Sequence, residues 1–476
     1  MKRLLFLLVL SPFFSFGQII SQYIETNSGT KPKVIEIYNN TGSTITFSNS
    51  NNLSVWQFTN GSTSESRKVN VTSGSLSPGA VMVIGSDTME DYNGVDYIPD
   101  GVTFISYNFG FNGDDALVIT LGNSSSSTID SSKITDTLGE YDNDPGWAWG
   151  HNNVATGNDN IELRPGIFYG DTDYWDGASD VHTRFQKVND NPNDTSNGEY
   201  DVDGIGVPPS NHYIYDGTNW NSYSNAGSNP STTTLSNTAP SFSGSNHILV
   251  GSGSVNVTST SSTFSSIQLD GGTFTVDAGK DLTVSGDIRN VGGSFVMSSS
   301  ASEYSSLRVS GSMTGNLTYN RWVNAIGTDE WDLIGSPVDG LSISDFANTN
   351  TGGSSPLATN GSQYAIGYYD NSADEWTNYT SGTIGGVGNF DIGKGYQMGT
   401  DSGATLAFTG TIATTDQLQA VQDYSGASGR IWNLVANPYP IYLNANSNAD
   451  GSNNFLTVNG TTKLHDTYVA IYGYDA

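Results

Sequence analysis

SIQLDGGTFTVDAGKDLTVSGDIRNVGGSFVMSS is the stretch from Ser266 to Ser299 that decides the fold class. Its short runs alternate apolar and polar residues, and Gly-Gly, Asp-Ala-Gly and Gly-Asp stand between the runs. Period-two alternation predicts strands buried on one face, and the glycines predict tight turns. Such strands form either a small β-solenoid or a β-sandwich. The small turns favour a β-solenoid for residues 243–320.

The composition favours an all-β protein. Of 476 residues, 35% are apolar and 11% are aromatic, and 56 are Gly. Thin cores filled by aromatic residues, with polar turns between short strands, account for this low apolar content without disorder. No stretch shows sustained apolar periodicity of the helical kind. We therefore expect an all-β chain of about two to four domains.

The charge excludes one class of partner. The formal net charge is −30, from 47 acidic and 17 basic residues. Binding to DNA or RNA depends on Lys and Arg that replace counterions along the phosphate backbone, so we expect no nucleic-acid partner. Because the sequence holds no Cys, disulfides, thiolate zinc sites and cysteine nucleophiles are excluded.

The first residues, MKRLLFLLVLSPFFSFGQ, have the pattern of a secretory signal peptide. Lys2 and Arg3 precede an apolar region that ends at the small residue Gly17. We expect residues 1–17 to be removed, so that Gln18 is the mature N-terminus. No later apolar run is long enough to predict a transmembrane span.

Residues 18–206 resemble a known family. Strand and turn patterns follow one another in ISQYIE (20–25), KVIEIYNNTG (33–42), LSPGAVMVI (76–84), FNGDDALVI (111–119) and LGEYDNDPGWAWG (138–150). In this order they resemble the bacterial lamin-tail domain (LTD). The resemblance implies an immunoglobulin-like β-sandwich in an exported or cell-surface protein, with no catalytic residues to transfer. Gly170 to Tyr200 is predicted to be an acidic insertion in this domain.

Residues 207–242 have the composition of a linker, with YIYDGTNW (213–220) inside it. Residues 321–476 are predicted to be a β-sandwich region with an internal repeat. WDLIGSPVDGLSISDF (331–346) and WNLVANPYPIYLNANS (432–447) share a Trp-x-Leu-aliphatic-small-Ser/Asn-Pro motif. We expect each Trp to anchor a sheet core and each Pro to end a strand.

Two stretches predict aromatic hairpins. YYDNSADEW (368–376) and YIYDGTNW each place an aromatic strand before an Asp turn and a Trp that opens the return strand. YVAIYGYDA (468–476) has the first strand and the Asp but no return strand. We therefore expect the second repeat to be incomplete and the native gene to continue past Ala476.

The repeat region resembles the C-terminal part of exported proteins of the type IX secretion class of Gram-negative bacteria. WNLVANPYP (432–440) and GKGYQMGT (393–400) carry this resemblance. It implies a following sorting domain that the secretion machinery would read for surface attachment. We accordingly expect a secreted protein or one on the outer-membrane surface.

Catalytic signals are few. The histidines have no paired spacing, and we expect each at the surface or in a turn: His151, His182, His212, His247 and His465. No nucleophile-elbow, metalloprotease-helix or phosphate-loop motif occurs next to the strand or helix pattern that it requires. We therefore predict that the chain is not an enzyme, although a carboxylate pair for glycoside hydrolysis stays open because such pairs converge only in space.

Acidic loops and two tryptophans are the candidate binding residues. Alternate carboxylates on a bent loop can converge on Ca²⁺, and solvated turns are the alternative for these residues. The candidate Ca²⁺ ligands are Asp171, Asp173, Asp176, Asp201 and Asp203. Asp114 and Asp115 are interpreted as turn residues. Trp147 and Trp149 could stack on sugars, but their alternate positions predict that at most one is exposed and that one packs in the core.

These patterns predict a non-catalytic secreted or cell-surface protein that acts in adhesion, surface display or extracellular binding. Extracellular polysaccharide and surface proteins are the partners that fit. Two alternatives stay open. The chain could be the accessory part of a secreted nuclease, phosphatase or glycoside hydrolase, or it could be a calcium-dependent polysaccharide-binding module.

Overall fold

The computed structural model of the chain describes most of its residues. They are residues 17–26, 31–123, 128–151, 153–173, 181–193, 198–222, 232–233, 244–327, 331–351, 356–422, 432–464 and 470–471. Residues 1–16 of the predicted signal peptide, Asp176, His465 and most of the final aromatic stretch lie outside them. The chain divides into two compact units, Met1–Thr234 with His247–Gly251 and Leu235–Asn246 with Ser252–Ala476.

The first unit consists almost entirely of short strands. They are β1 (Ile19–Ile24), β2 (Val34–Tyr38), β3 (Ile45–Thr46), β4 (Leu53–Phe58), β5 (Arg67–Val71), β6 (Ser75–Leu76), β7 (Val81–Gly85), β8 (Thr103–Ser106), β9 (Ala116–Leu121), β10 (Ile134–Leu138), β11 (Gly150–His151), β12 (Val154–Ala155), β13 (Asp159–Leu163), β14 (Phe185–Asp190), β15 (His212–Asp216), β16 (Trp220–Asn221), β17 (Thr232–Thr233) and β18 (His247–Ser252). One helix, α1 (Val181–Arg184), and two 3₁₀ turns, Asp87–Met89 and Ser131–Lys133, join them.

Two sheets form the sandwich of the first unit. One has the order β14-β13-β1-β2-β7-β8 and the other the order β10-β9-β4-β5. Their inward side chains share one core, in which Ile37 of β2 and Val55 of β4 are fully buried. The larger sheet is covered on its other face too, by an apolar cluster that includes Val83 and Val202. Burial on both faces explains the continuous apolar run VMVIG in β7, since neither set of alternate side chains meets water.

The second unit begins with three parallel ladders and continues as antiparallel sheet. Its strands are β19 (Ser254–Val257), β20 (Ser261–Phe264), β21 (Ser266–Leu269), β22 (Thr273–Val276), β23 (Asp281–Val284), β24 (Ile288–Asn290), β25 (Ser294–Met297), β26 (Ser306–Val309), β27 (Met313–Thr314), β28 (Leu317–Val323), β29 (Asp332–Ile334), β30 (Thr359–Asn360), β31 (Gln363–Asp370), β32 (Glu375–Thr380), β33 (Tyr396–Met398) and β34 (Ala404–Gly410). The helices are α2 (Ile343–Asn350) and α3 (Phe455–Lys463), with a 3₁₀ turn at Ile384–Gly386.

The ladders form the predicted β-solenoid. Parallel pairing stacks β19-β22-β25, β20-β23-β26 and β21-β24-β27. Equivalent residues of successive turns lie directly above one another, as Phe274 does with Phe295 and Leu282 with Leu307. The Phe274 and Phe295 rings meet edge to face with centroids 5.2 Å apart. The all-β class and the solenoid-like middle are therefore confirmed.

Antiparallel strands extend the solenoid. β28 pairs in parallel with β25 and antiparallel with β34, over seven residue pairs from Leu317 to Val323. A further sheet has the order β29-β33-β31-β30, and β32 pairs with β31. Helix α2 packs Phe346 against Phe408 of β34 with ring centroids 4.6 Å apart.

Both predicted hairpins are present. Tyr369 of β31 lies opposite Trp376 of β32, and in the first unit Tyr215 of β15 lies opposite Trp220 of β16. The ring centroids are 5.4 Å and 5.1 Å apart.

Neither copy of the Trp motif has its Trp buried in a sheet core as predicted, since Trp331 is only half-buried and precedes β29. Trp432 is 47% exposed, so it does not anchor a sheet core. Its neighbour Val435 instead forms an isolated antiparallel bridge with Lys394. In this segment main-chain contacts to residues 393–395 attach the chain to the sheet.

Candidate functional site

A cavity of 420 Å³ opens beside the β31–β32 hairpin in the second unit. Three tyrosines, Tyr368, Tyr379 and Tyr396, form its aromatic wall. Apolar side chains of Ile343 and Val387 complete that wall. The polar lining includes Thr377, Thr383, Asn389, Asp391 and Lys394.

Hydrogen bonds within the turn stabilise the β31–β32 hairpin. The Asp370 carboxylate accepts hydrogen bonds from the backbone N–H groups of Ser372 at 2.9 Å and Ala373 at 3.2 Å. Asp374 has a positive φ of 60°, which Asp tolerates better than most residues do. The turn fixes the register that places Tyr368 opposite Thr377, and both residues line the cavity.

The aromatic wall is rigidly packed. The rings of Tyr368 and Tyr379 have centroids 5.6 Å apart. Phe390 meets Tyr396 edge to face at 5.0 Å, and the Tyr396 hydroxyl accepts a hydrogen bond from the Asp391 backbone N–H at 3.0 Å. Burial raises the pKa of Tyr396 to about 12 and raises the pKa of Tyr379 above its ordinary value. These phenols are therefore neutral hydrogen-bonding groups at physiological pH.

The charges at the cavity balance. Lys394 Nζ lies 3.4 Å from Asp391 Oδ2. The same ammonium group lies 5.2 Å from the ring centroid of Tyr368 and 5.7 Å from that of Tyr396, within the range of cation–π attraction. One cation and one anion therefore face the cavity together, held by the aromatic wall.

A side-chain hydrogen bond between β32 and β33 crosses the central strand β31 beside the cavity. Gly367 lies between Asn378 on β32 and Gln397 on β33, and the Gln397 amide donates to Asn378 Oδ1 at 2.6 Å. A Cβ at Gly367 would collide with the Asn378 side chain. Only glycine leaves room for this bond across the central strand.

The second Trp motif positions the loop that carries Lys394. The Gly395 N–H donates to the Leu434 carbonyl at 3.0 Å, and the Ala436 N–H donates to the Gly393 carbonyl at 2.8 Å. These two bonds flank Lys394 and fix the backbone from which its side chain reaches the cavity. The motif therefore stabilises the site without lining it.

The tryptophans predicted to bind sugar lie in the first unit. Trp147 is 62% exposed, whereas Trp149 is 2% exposed and belongs to the core. One is thus exposed and the other packed inside. Sugar binding by Trp147 stays a prediction.

The carboxylates predicted to bind Ca²⁺ are only partly described. Asp171 accepts hydrogen bonds from Thr137 Oγ1 at 3.1 Å and from the Asp173 N–H at 2.8 Å, and burial raises its pKa to about 6. The Asp203 carbonyl accepts from the side chains of Gln22 and Asn160. The Asp201 N–H donates to the Pro192 carbonyl, and the Asp201 carbonyl accepts from the Asn189 side chain. Within the described ranges, no three acidic or histidine side chains cluster as a metal site, and Asp176 lies outside those ranges. Calcium binding at these loops stays a prediction.

Two histidine pairs are not indicated by any sequence pattern. His212 is buried and not at the surface as expected. Both ring nitrogens have partners, since Nε2 accepts from the Gly166 N–H at 2.7 Å and Nδ1 faces the Tyr38 hydroxyl at 3.3 Å. Burial lowers the pKa of His212, and the ring of His247 lies 5.8 Å away. In the second pair the rings of His151 and His182 are 3.6 Å apart. Their partners come from distant segments, so no local spacing announces them.

Comparisons with known proteins give no relative. No protein-family model, no curated protein and no solved structure matches the chain. The resemblances to the lamin-tail domain and to type IX secretion proteins stay predictions. In the part of the chain that the structure describes, no helix combines the length and apolar character needed to cross a bilayer.

Proposed function

We propose that the chain is a non-catalytic extracellular binding protein whose tyrosine cavity binds a segment of polysaccharide. The observation that carries the proposal is the cavity itself, in which Tyr368, Tyr379 and Tyr396 stand beside Asp391 and Lys394. Sugar rings present apolar C–H faces that pack on aromatic rings and hydroxyls that need hydrogen-bonding partners. The half-buried ring of Tyr368 and the polar lining offer both kinds of surface, while Tyr379 and Tyr396 are almost fully buried, and the cavity volume suits a small number of sugar units.

The charge balance supports an uncharged sugar. Because Asp391 and Lys394 neutralise each other, the cavity attracts neither strong anions nor strong cations. Both groups still offer hydrogen bonds to hydroxyls at their free atoms. The net charge of −30 further disfavours anionic polymers through long-range repulsion.

A binding role is favoured over glycoside hydrolysis. Hydrolysis of this kind uses a pair of carboxyl groups on opposite sides of the scissile bond. Among the described residues that line the cavity, Asp391 is the one carboxylate, and Lys394 is its ion-pair partner. The phenols of Tyr379 and Tyr396 stay protonated at neutral pH because burial raises their pKa, so neither supplies the second ionised group.

An extracellular location is part of the proposal. The pattern of residues 1–17 supports export, and the type IX resemblance supports a place on the outer-membrane surface of a Gram-negative bacterium. Adhesion or surface display would follow from polysaccharide binding at that location.

Affinity electrophoresis through gels that contain defined neutral and uronate polysaccharides tests the proposal. We expect at least one neutral polysaccharide to retard the protein and Tyr368→Ala to abolish the retardation. Tyr369→Ala is the matched control, because Tyr369 is adjacent in β31 but packs on Trp376. Equal retardation of both variants, or no retardation by any polymer, would refute the proposal. Release of reducing ends from a retarding polymer would refute the non-catalytic part.

A further inference from the structure

The start of strand β1 is enclosed by the sandwich of the first unit. β1 lies between β13 and β2 in the larger sheet. The carbonyl of Gln18, the residue before β1, accepts a hydrogen bond from Thr135 Oγ1 at 2.7 Å. The chain approaches β10 so closely here that a Cβ at Gly17 would collide with Thr135 Cγ2. The bond that joins Gly17 to Gln18 therefore lies against β10 and not at a free end of the sheet.

Gln18 carries buried polar atoms that the fold does not use. The residue is 0% exposed, and neither Nε2 nor Oε1 has a hydrogen-bond partner among the described residues. A second buried amide on the same strand differs, because Gln22 Nε2 donates to Asn160 Oδ1 at 2.7 Å. A primary amide that loses water and gains no hydrogen bond costs free energy. The Gln18 side chain is therefore unfavourable in the form that the gene encodes.

Removal of the predicted signal peptide adds a charge at the same position. Cleavage after Gly17 turns the Gln18 backbone nitrogen into an α-ammonium group, and a buried charge costs more than a buried neutral amide. The Asp136 carboxylate accepts from the Ile20 N–H at 2.7 Å, but it is already paired with Arg184 at 2.7 Å. A free terminus would thus place a positive charge and an unpaired amide on one buried residue.

We propose that Gln18 cyclises to pyroglutamate once the signal peptide has been removed, and that the first unit folds on this neutral terminus. The unprotonated α-amine attacks Cδ of its own side chain. A bond forms between the α-nitrogen and Cδ, the bond between Cδ and Nε2 breaks, and ammonia leaves with the proton that the α-nitrogen gives up. The five-membered lactam keeps one N–H and one carbonyl, so the charge and the primary amide nitrogen are removed together.

The burial sets the order of events. Gln18 is enclosed in the folded unit, so the amine and the carboxamide react before β1 pairs with β2 and β13. The reaction is intramolecular and consumes no co-reactant. This modification rests on the export part of the proposed function, because an uncleaved chain has no amine at Gln18. It does not depend on the tyrosine cavity.

Mass spectrometry of the exported protein tests the terminus. The full chain, with residues 1–17, is produced in Gram-negative cells that export it, and the secreted product is digested with trypsin. We expect the first peptide to span residues 18–33 and to be lighter than the unmodified peptide by one ammonia. A chain that a protease releases at Gln18 in vitro, carried through the same digestion, measures any cyclisation during handling.

A refolding experiment tests the effect on stability. The chain released at Gln18 in vitro is unfolded, incubated with or without glutaminyl cyclase, and refolded. We expect the cyclised chain to have a Tm several degrees above that of the untreated chain. Gln18→Asn is the matched control, because its carboxamide stands on a side chain too short to close a five-membered lactam. The cyclase should change neither the mass nor the Tm of this variant.

The possible results separate the modification from export. An exported protein that begins at Gln18 with a free amine would overturn the modification and leave the export proposal standing. A terminus at any other residue would overturn the modification too, and retention of Met1 would also contradict export. Equal Tm values for the cyclised and untreated chains would show that the enclosed terminus carries no penalty, which removes the reason for cyclisation.

Discussion

Buried ionisable residues link the stability of the first unit to pH. Glu36 of β2 is fully buried, and its carboxyl group accepts hydrogen bonds from Ser21 Oγ at 2.5 Å and from the Gly206 N–H at 2.6 Å. Burial, with a smaller effect of the Glu162 charge, raises the pKa of Glu36 to about 8. The group is therefore mostly protonated near neutral pH, although an exposed Glu would be ionised.

The Glu36 pKa predicts a pH dependence of stability. Because the folded state holds the proton more tightly, its contribution is fully present below the unfolded pKa and is lost as pH rises through about 8. Each pKa unit corresponds to roughly 1.4 kcal/mol, so the loss amounts to a few kcal/mol. We expect Glu36→Gln to flatten the fall in unfolding free energy between about pH 5 and pH 8, measured by urea denaturation. Parallel curves for the two proteins would contradict this account of Glu36.

His212 acts in the opposite direction. Its pKa is lowered by burial and by His247, so the folded state loses stability as pH falls below the ordinary value for histidine. This burial could not be predicted from the sequence, because the hydrogen-bonding partners Tyr38 and Gly166 lie 174 and 46 residues away.

At the level of elements, the second Trp motif is an attachment for the sheet that carries the cavity. A Cβ at Gly335 would collide with Ala436 of that motif. Gly335 therefore permits the close approach of the first motif to the second. The two motifs are alike in sequence, but the first forms β29 whereas the second leaves Trp432 exposed and pairs Val435 with Lys394, and no local pattern encodes that difference.

Gly335→Ala should weaken this attachment. Overpacking at a closed contact costs about 1–3 kcal/mol, and we expect that loss in the unfolding free energy of the second unit. Gly385→Ala is the matched control, since a Cβ there meets nothing within 4 Å. Equal stability of the two variants would show that the motif does not press on Gly335.

The solenoid ladders predict a second effect at this scale. Phe274 is fully buried between Phe264 and Phe295 in the stacked core. Truncation to Ala leaves a cavity that costs about 3–5 kcal/mol, whereas Thr273→Ser on the outward face should be nearly neutral. Thermal unfolding of the two variants measures the difference. A small effect of Phe274→Ala would mean that the ladder core is loosely packed.

For the whole molecule, the sequence predicted the parts that depend on local order. Strands with period-two alternation and glycine turns are determined by residues close in sequence, so the solenoid and both Tyr–Trp hairpins could be predicted. The cavity could not, although Tyr368, Lys394 and Tyr396 all stand in motifs that the sequence analysis identified. These residues come together because β31 pairs with β33, although β32 and a turn separate the two strands in the sequence. Tertiary pairing of this kind carries no signature within one segment.

The central claim is that the tyrosine cavity binds neutral polysaccharide. The most direct test is calorimetric titration of the full chain with an oligosaccharide cut from the polymer that retards it most. We expect saturable binding that weakens at least about tenfold, or 1.4 kcal/mol, in Tyr368→Ala and is unchanged in Tyr369→Ala. Binding that Tyr368→Ala leaves intact would contradict the claim and place the ligand elsewhere on the molecule.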